Sequence, residues 1–364
     1  MRSSRLIASL AAACVLALGV AACGSSSSSS NSSGGSKSGG TINGAGSTFA
    51  APIYQQWGAT LKSQQGLTVN YQAVGSGQGI TELTSGTVDF AGSDPPMTDD
   101  EIKAAAKKGV PLHWPTALGA ITISYNLSGV KAGMKLTGPV IADIFLGKVK
   151  TWNDPEIAKL NPGTTLPSTN ITVVHRSDSS GTTKGFTGYL GAVSPEWDKS
   201  VGSDKTVKWP TGTGAKGNDG VAAAVKQTPG SVGYVEQAYA LQNKFTTAAV
   251  QNKAGQYVAP DLASTTAAAE GIKVPSDLRF VIQNPDNPQA YPITSQTFVV
   301  TYTDPCKAGA SEQVANGLKT FLDYAYGDGQ ASLGQLQYAK LPAAILSAAK
   351  AQVSKLQCNG KPLS

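Results

Sequence analysis

Three short turns rich in glycine, serine and threonine contain the side chains best suited to binding chemistry. They are Gly44-Ala45-Gly46-Ser47-Thr48-Phe49, Gly75-Ser76-Gly77-Gln78-Gly79 and Arg176-Ser177-Asp178-Ser179-Ser180-Gly181-Thr182, and each precedes a predicted helix. A helix N-terminus offers unpaired N–H groups and a partial positive charge, hydroxyls add donors, and glycine lets the backbone approach a ligand. Arg176 adds a guanidinium that can pair with an oxyanion through two hydrogen bonds. Together these residues predict an anion-binding cleft.

Each turn also has a simpler interpretation. Serine, threonine and glycine at a helix start most often serve only as caps. The three turns taken with one arginine favour a cleft for an anion, and residue types alone do not say which anion.

A fourth glycine-rich segment, Gly212-Thr213-Gly214-Ala215-Lys216-Gly217, matches the G-x-G-x-x-G pattern of dinucleotide sites. It precedes a predicted helix and follows Thr206–Trp209, which is interpreted as strand-like. The acidic residue that this motif requires at the end of a second strand is not evident. The segment is therefore not interpreted as a cofactor site, and no cofactor is predicted.

The residues that hydrolases and metalloenzymes need are also missing from the sequence. It contains no G-x-S-x-G segment, and His113 and His175 are its two histidines. A single histidine at a strand end, such as His175, is most often structural. The adjacent acids Asp99 and Asp100 are interpreted as first-turn helix residues, not as a catalytic pair. No catalytic residue and no metal site is predicted.

The order of elements predicts an α/β fold. The predicted strands are 67–74, 120–126, 171–175, 231–234 and 297–303, and the predicted helices are 50–62, 99–108, 141–146, 183–189, 221–227 and 313–326. The part from 41 to 364 is longer than one core usually supports, so two lobes are expected. Proline- and glycine-rich stretches near 115–119 and 284–292 are the candidate crossings between them.

The N-terminus reads as an export signal. Arg2 and Arg5 precede the apolar run Leu6–Val20, which is too short to span a membrane and ends in Val20-Ala21-Ala22-Cys23, a sequence similar to a bacterial lipobox. An ordinary signal with an incidental cysteine is the alternative. Residues 24–40 are almost entirely serine and glycine, which predicts a flexible tether. We therefore predict a signal peptide over 1–22, a lipidated Cys23 with its tether over 23–40, and a protein anchored to the outer face of the cytoplasmic membrane.

Two cysteines remain for the exported domain. Cys306 and Cys358 most simply form one disulfide, and two buried free thiols are the alternative. The net charge of +6 comes from scattered lysines without interleaved aromatic residues, which indicates a solvated surface and argues against nucleic-acid binding.

Seven segments of the chain resemble one family. GAGSTFAAPIYQQW (44–57), VGSGQGI (74–80), VDFAGSDPPM (88–97), RSDSSGTT (176–183), KGNDG (216–220), GSVGYVEQAYA (230–240) and YPITSQTF (291–298) are similar to the Pst-type periplasmic phosphate-binding proteins. Those proteins are the substrate-binding subunits of a phosphate ABC importer. The resemblance extends over 41–364 in the same order.

The resemblance implies a two-lobed α/β binding protein that closes on one phosphate in a cleft between lobes joined by two hinge crossings. Lobe I would comprise 41–117 and 291–364, and lobe II 118–290. The implied ligands are Thr48, Phe49 through its amide, Ser76, Asp94, Arg176, Ser180, Gly181 through its amide, and Thr182. Asp178 matches the position that orients the arginine.

His175 and Asp94 differ from the other residues of the implied site. His175 stands where a second basic residue can precede the arginine, which is a departure from the pattern outside the ligand set. Asp94 is a carboxylate in an anion pocket, which is repulsive unless the ligand carries a proton. Its alternative role is that of a turn cap in Ser93-Asp94-Pro95-Pro96.

The function implied is that of a monomeric, non-enzymatic phosphate receptor that delivers its ligand to the membrane subunits of an ABC importer. A receptor for sulfate or molybdate is the first alternative. A secreted phosphatase is the second, although the sequence lacks the nucleophile and metal ligands that it would require.

Overall fold

The computed structural model describes residues 39–363. The predicted signal peptide, Cys23 and nearly all of the tether therefore lie outside the described residues. The strands, in chain order, are β1 (Thr41–Gly46), β2 (Thr68–Ala73), β3 (Phe90–Ser93), β4 (Pro111–Tyr125), β5 (Lys135–Leu136), β6 (Thr172–Arg176), β7 (Thr213–Ala215), β8 (Ser231–Glu236), β9 (Thr246–Thr247), β10 (Ala249–Gln251), β11 (Tyr257–Val258), β12 (Thr294–Tyr302), β13 (Gln357–Cys358) and β14 (Lys361–Pro362).

Helices alternate with these strands over most of the chain. They are α1 (Ala51–Gln65), α2 (Ser76–Ser85), α3 (Asp99–Ala105), α4 (Gly138–Phe145), α5 (Pro155–Ala158), α6 (Gly181–Val193), α7 (Pro195–Ser200), α8 (Gly217–Gln227), α9 (Gln237–Gln242), α10 (Leu262–Ala267), α11 (Glu312–Tyr326), α12 (Asp328–Ser332) and α13 (Ala343–Val353), with a 3-10 turn at Leu333–Leu336. The predicted α/β class is confirmed.

One large sheet organises the site. Its strand order is β2-β1-β3-β12-β4-β8-β6-β7, and β9 pairs with β4 as well. Strands β2, β1 and β3 are parallel, as are β8, β6 and β7, and β12 and β4 run antiparallel to their neighbours. In a parallel sheet the loops at the carboxyl ends of neighbouring strands meet at one edge, where ligands commonly bind.

The long strand β4 is shared between two parts of the sheet. Residues 111–120 pair with β12, whereas residues 121–125 pair with β8. We call β1, β2, β3 and β12 with helices α1–α3 and α11 the first half. The second half comprises β6–β9 with helices α4 and α6–α9 and the loop that follows α7.

A proline inside this central strand needs an explanation, because proline donates no hydrogen bond to a sheet. The pairing register shifts at this point: Phe298 faces Pro115, whereas Thr297 faces Ala117. Thr116 is the extra residue of this bulge, and its hydroxyl donates to the Thr297 carbonyl at 3.1 Å. The stretch 115–119, predicted as a crossing, is therefore part of a continuous strand and not a loop.

The predicted strands and helices all overlap elements of the structure, with three informative differences. The strand predicted over 120–126 covers only the end of β4, whose earlier part contains the proline. Helix α2 begins at Ser76, inside the second turn, because Gly75 at φ 98° already provides the break before the helix. Residues 206–209, interpreted as a strand, form none, and β7 lies inside the G-x-G-x-x-G segment instead.

The disulfide expected between Cys306 and Cys358 is present, and it joins the segment after β12 to the segment after α13. Such a cross-link closes a long loop and restricts the unfolded chain. Within residues 39–363, no helix combines the length and hydropathy needed to cross a bilayer.

Candidate anion-binding site

The first turn follows β1 at the carboxyl edge of the sheet. Gly46 has a φ of 141°, and a Cβ there would collide with the carbonyl oxygen of Gly92 on β3. The close approach of these strands therefore requires glycine at the end of β1, just before the turn that contains Thr48 and Phe49. Tyr239 of α9 donates its hydroxyl to the Thr48 carbonyl at 2.6 Å, so the second half also holds this turn.

Phe49 is anchored from the other side. Its ring is fully buried and packs edge-on against Tyr338 at 5.9 Å between centroids. The Tyr338 hydroxyl donates to the Phe49 carbonyl at 2.6 Å. These contacts hold Phe49 in place, and the bond from Tyr239 to the Thr48 carbonyl holds the Thr48–Phe49 peptide, whose amide was predicted to bind the anion.

The second turn and the end of β3 meet at Asp94. Ser76 is the first residue of α2, and its Oγ lies 3.3 Å from the Asp94 amide and 3.5 Å from Asp94 Oδ2. Asp94 Oδ1 accepts hydrogen bonds from Ser47 Oγ at 2.6 Å and from Thr297 Oγ1 at 2.8 Å. One carboxylate oxygen is therefore well satisfied, while the other has a single long contact.

Burial dominates the electrostatics of Asp94, which is only 1 % exposed. Removal from water raises the pKa of this carboxyl to about 6, and the hydrogen bonds from Ser47 and Thr297 and the charge of Arg176 offset that rise only in part. A buried carboxyl of this kind favours a partner that brings a proton.

The third turn places a buried cation opposite this carboxyl. Arg176 is the last residue of β6, and its side chain is 1 % exposed. Its Nε and Nη2 donate to the two oxygens of Asp178 at 2.7 and 2.5 Å, which fixes the plane of the guanidinium. Burial alone would raise the pKa of Asp178, but the hydrogen bonds and charge of Arg176 lower it below its usual value.

Helix α6 begins in the same turn. Ser180 is its N-cap and accepts from the Thr183 amide at 3.0 Å. The next two residues, Gly181 and Thr182, are the first of the helix, where backbone N–H groups have no intrahelical acceptor. The predicted ligands of this turn thus lie at a helix N-terminus beside a buried guanidinium.

The two halves approach each other closely at these turns. A Cβ on Gly181 would collide with Asp94 Oδ2 and Ser76 Oγ. A Cβ on Gly77 would collide with Ser179, whose carbonyl accepts from the Gly77 amide at 3.0 Å. Glycine is required here because side chains of the facing half occupy the space that a Cβ would need.

Sequence reasoning missed Asn218, the residue that joins the first and third turns. Its Nδ2 donates to Thr48 Oγ1 at 2.8 Å and to Thr182 Oγ1 at 3.1 Å, and its amide also donates to Thr48 Oγ1 at 3.1 Å. Its Oδ1 accepts from the Glu236 amide at 2.9 Å. The signal was available in KGNDG at 216–220, which is another small-residue turn at the start of a helix.

The G-x-G-x-x-G segment contributes to this site through its last glycine. The Gly217 amide donates to Asp178 Oδ1 at 3.0 Å, and α8 begins at that residue. The segment therefore supports Asp178, and through it the guanidinium of Arg176.

The hydrogen-bond directions say what the pocket can bind. The oxygens of Thr48 and Thr182 accept from Asn218, and that of Thr182 accepts from Arg176 Nη1 at 3.3 Å as well. The oxygen of Ser180 accepts from a backbone amide. Because each oxygen already accepts, each hydroxyl hydrogen remains to be donated. The pocket thus offers several donors and a cation, with Asp94 Oδ2 as an acceptor among them.

The two histidines and the adjacent acids noted in the sequence take part in packing, hydrogen-bonding and helix-start contacts. His175 stacks on Trp209 at 4.7 Å, and burial lowers its pKa. His113 accepts from the Met97 amide at 2.9 Å through Nε2, and burial lowers its pKa to about 4. Asp99 and Asp100 lie in the first turn of α3, which Thr98 caps. Among residues 39–363, no three His, Cys, Asp or Glu side chains cluster as a metal site would require.

Comparison with known proteins identifies the family. Residues 31–328 match a model described as "PBP superfamily domain". The chain is 43 % identical over 314 residues to "Phosphate-binding protein PstS" of Pasteurella multocida, covering 85 % of this chain and 89 % of the relative. It is 42 % identical over 304 residues to the protein of the same name from Xylella fastidiosa, covering 83 % and 81 %.

A solved structure supports the fold. The phosphate binding protein from Stenotrophomonas maltophilia superposes with a TM-score of 0.68 at 20 % identity, covering 86 % of this chain and 93 % of that one. The predicted periplasmic-binding-protein fold is confirmed. The length and level of the sequence identities show that the chain belongs to the PstS family of phosphate-binding proteins.

Proposed function

We propose that this protein binds one inorganic phosphate ion between its two halves, as a non-enzymatic receptor of a phosphate importer. The proposed ligands are Thr48, the Phe49 amide, Ser76, Asp94, Arg176, Ser180, the Gly181 amide and Thr182, and Asp178 orients the arginine. The names of the relatives, which are phosphate-binding proteins and not enzymes, support this assignment.

The proposal rests on one observation: the pocket presents a single hydrogen-bond acceptor, Asp94 Oδ2, among several hydrogen-bond donors. Arg176, the α6 N-terminus and the hydroxyls of Thr48 and Thr182 favour an anion, whereas Asp94 disfavours one that carries no proton. Inorganic phosphate near neutral pH is a mixture of H2PO4⁻ and HPO4²⁻, and both forms carry at least one proton because the last proton is lost only in strong base. That proton can be donated to Asp94 Oδ2, so phosphate satisfies every group that this pocket presents.

We also propose the two lobes that the family resemblance implies, with 41–117 and 291–364 as lobe I and 118–290 as lobe II. The proposed ligands divide between them, so one anion that bridges both sets favours the closed arrangement. The change of strand partners along β4 between 120 and 121 supports a hinge there.

We further propose that Cys23 carries the lipid anchor and that 24–40 tether the domain to the outer face of the cytoplasmic membrane. The lipobox-like sequence and the serine-rich composition support this. A tethered monomeric receptor stays near the ABC importer subunits that would take up its phosphate.

Calorimetric titration of the mature protein with phosphate, sulfate and molybdate tests the assignment. The proposal predicts one phosphate per chain and no heat from sulfate at concentrations that saturate the phosphate site. Comparable binding of sulfate or molybdate would instead identify a general oxyanion receptor. Turnover of a chromogenic phosphomonoester would identify a phosphatase.

A further inference from the structure

We propose that the ion pair between Lys205 and Glu101 is a latch that holds the two halves together around the bound anion, and that Lys205 is therefore a positioning residue for the ligand turn. The proposal rests on the proposed function, because it assigns the latch a role in phosphate affinity. Lys205 Nζ contacts Glu101 Oε1.

The pair joins the two halves. Glu101 lies in the first turn of α3 in the first half, and Lys205 lies in the loop after α7 in the second half, 104 residues further along the chain. The side chains are 25 % and 11 % exposed, respectively. An ion pair shielded from water to this degree is stronger than one on the open surface.

Lys205 is also bonded to the ligand turn. Its carbonyl accepts from the amide of Ser180, the N-cap of α6, at 2.9 Å. Lys184, one turn into α6, donates its Nζ to the Ser203 carbonyl at 2.8 Å. The loop 203–205 therefore cannot shift without moving the N-terminus of α6, where the anion is proposed to bind.

Glu101 is fixed just as firmly on its side. Its Oε2 accepts from the Thr98 amide at 2.9 Å, and its own amide donates to Thr98 Oγ1 at 3.2 Å. This capping box leaves the other carboxylate oxygen, Oε1, directed to Lys205. Since Asp94 precedes Thr98 by four residues, both partners of the ion pair are attached to segments that contain proposed ligands.

A second ion pair on α3 shows why the Lys205 pair is singled out. Arg279 Nη1 lies 3.3 Å from Asp99 Oδ1, but the Asp99 side chain is 95 % exposed. Water and salt screen such a pair almost completely. Of these two contacts on α3, the Lys205 pair is the one shielded enough to favour closure.

The latch acts only when the halves are together, so its loss should mainly increase the rate of phosphate dissociation. Two variants each remove one charge of the ion pair and leave most of the side chain unchanged. Glu101→Gln keeps an N3 side chain that can complete the capping box, and Lys205→Met keeps the apolar stem. Lys205→Arg retains the charge. Lys319→Met is the matched control, because Lys319 is 24 % exposed and pairs with Asp323 inside α11.

The experiment is a phosphate titration with stopped-flow dissociation on the mature wild-type protein and these variants. We expect Glu101→Gln and Lys205→Met each to weaken phosphate by about tenfold, between the effects of exposed and buried pairs, mostly through faster dissociation. The double variant should be no weaker than either single variant, since both remove one interaction. Lys205→Arg and Lys319→Met should stay within about twofold of wild type.

The latch is wrong if both charge-removing variants bind phosphate within twofold of wild type, or if their effects add in the double variant. It is also wrong if Lys205→Met weakens phosphate binding and Glu101→Gln does not, because the Lys205 ammonium then acts on another partner and not through Glu101. An unchanged melting temperature in Glu101→Gln, together with weaker binding, supports the latch over a folding defect. Failure of the wild-type protein to bind phosphate would overturn the proposed function itself.

Discussion

The two halves of the molecule present opposite chemistry to the candidate site. The second half contributes a buried guanidinium, Arg176, and the N-terminus of α6, all of which attract negative charge. The first half contributes hydroxyls and the buried carboxyl of Asp94, whose pKa is raised to about 6 by burial. A receptor that needed only affinity for anions would have no use for that carboxyl.

This difference indicates a division of labour. If the proposed ligands are right, the second half supplies most of the attraction to any tetrahedral anion, and the first half decides which anion is accepted. Selectivity then comes from a repulsive group that only a protonated ligand can satisfy.

The largest effect should come from removing the cation of the second half. Arg176→Ala leaves Asp178 without its partner and the anion without its counter-charge, and breaking a buried pair in this way costs about 3–5 kcal/mol. We expect phosphate affinity to fall by a factor on the order of a thousand, measured by calorimetry. Arg176→Lys should recover only part of the loss, because an ammonium cannot reproduce the two-pronged geometry.

The partly exposed Arg279, whose Nε pairs with Asp277 at 2.7 Å, provides the control. Arg279→Ala should leave phosphate affinity within about twofold. Phosphate binding by Arg176→Ala at the wild-type level would mean that the anion binds elsewhere.

The next effect concerns the first half and appears as a change of selectivity. Sites built around a required hydrogen bond reject analogues that lack it by roughly 10⁴–10⁵. Asp94→Asn replaces the acceptor by an amide that can donate to sulfate, so we expect the phosphate-to-sulfate affinity ratio to fall by at least about a hundredfold. Competition between the two anions measures this ratio.

Asp89→Asn is the matched control for this change, because Asp89 lies in the same half and burial raises its pKa too. That variant should keep the wild-type ratio. An unaltered ratio in Asp94→Asn would show that Asp94 does not sense the ligand proton.

The raised pKa of Asp94 also predicts a pH dependence of stability in phosphate-free buffer. Because the folded-state pKa, about 6, exceeds the value of about 3.9 for an unfolded aspartate, stability is full below pH 4 and is lost as the pH rises to 6. Above pH 7 the buried charge should cost about 3 kcal/mol. Asp94→Asn should therefore melt at a higher temperature than wild type at pH 8, with the difference shrinking towards pH 4. Equal differences at both pH values would contradict the assigned pKa.

The smallest effect tests the close approach of the halves. Gly181→Ala adds a methyl group that would collide with Asp94 and Ser76, so closure should be impeded and phosphate should bind about tenfold more weakly. Gly188→Ala in the same helix is the control, since its Cβ would meet its nearest neighbour at 3.4 Å. Equal affinities of the two variants would argue that the halves do not meet at Gly181.

The three turns could be predicted from the sequence because their signals are local. Glycine before a helix, a hydroxyl residue at the N-cap and an arginine two residues before an aspartate can all be recognised without knowing the fold. The helix of the third turn was predicted from 183 and begins at Gly181, so Ser180 and not a later residue is its N-cap. The pairing of Arg176 with Asp178 was implied by the family resemblance. The ligand roles themselves came from resemblance and stay predictions.

What the sequence did not reveal depends on contacts between distant segments. Asn218 joins turns that lie 134 residues apart, from Thr48 to Thr182, and the Lys205 pair spans 104 residues. The first nine residues of β4 were missed for a related reason. Pro115 argues against a central strand, and only the pairing with β12 shows that a bulge accommodates it.

The most direct test of the central claim is a crystal structure of the mature protein with arsenate, a protonated tetrahedral analogue of phosphate that anomalous scattering can locate. The account predicts one anion between the halves, within hydrogen-bond distance of both the Arg176 guanidinium and Asp94 Oδ2. An anion that contacts Arg176 but leaves Asp94 without a ligand contact would contradict the division of labour, and an anion bound outside the three turns would contradict the site itself.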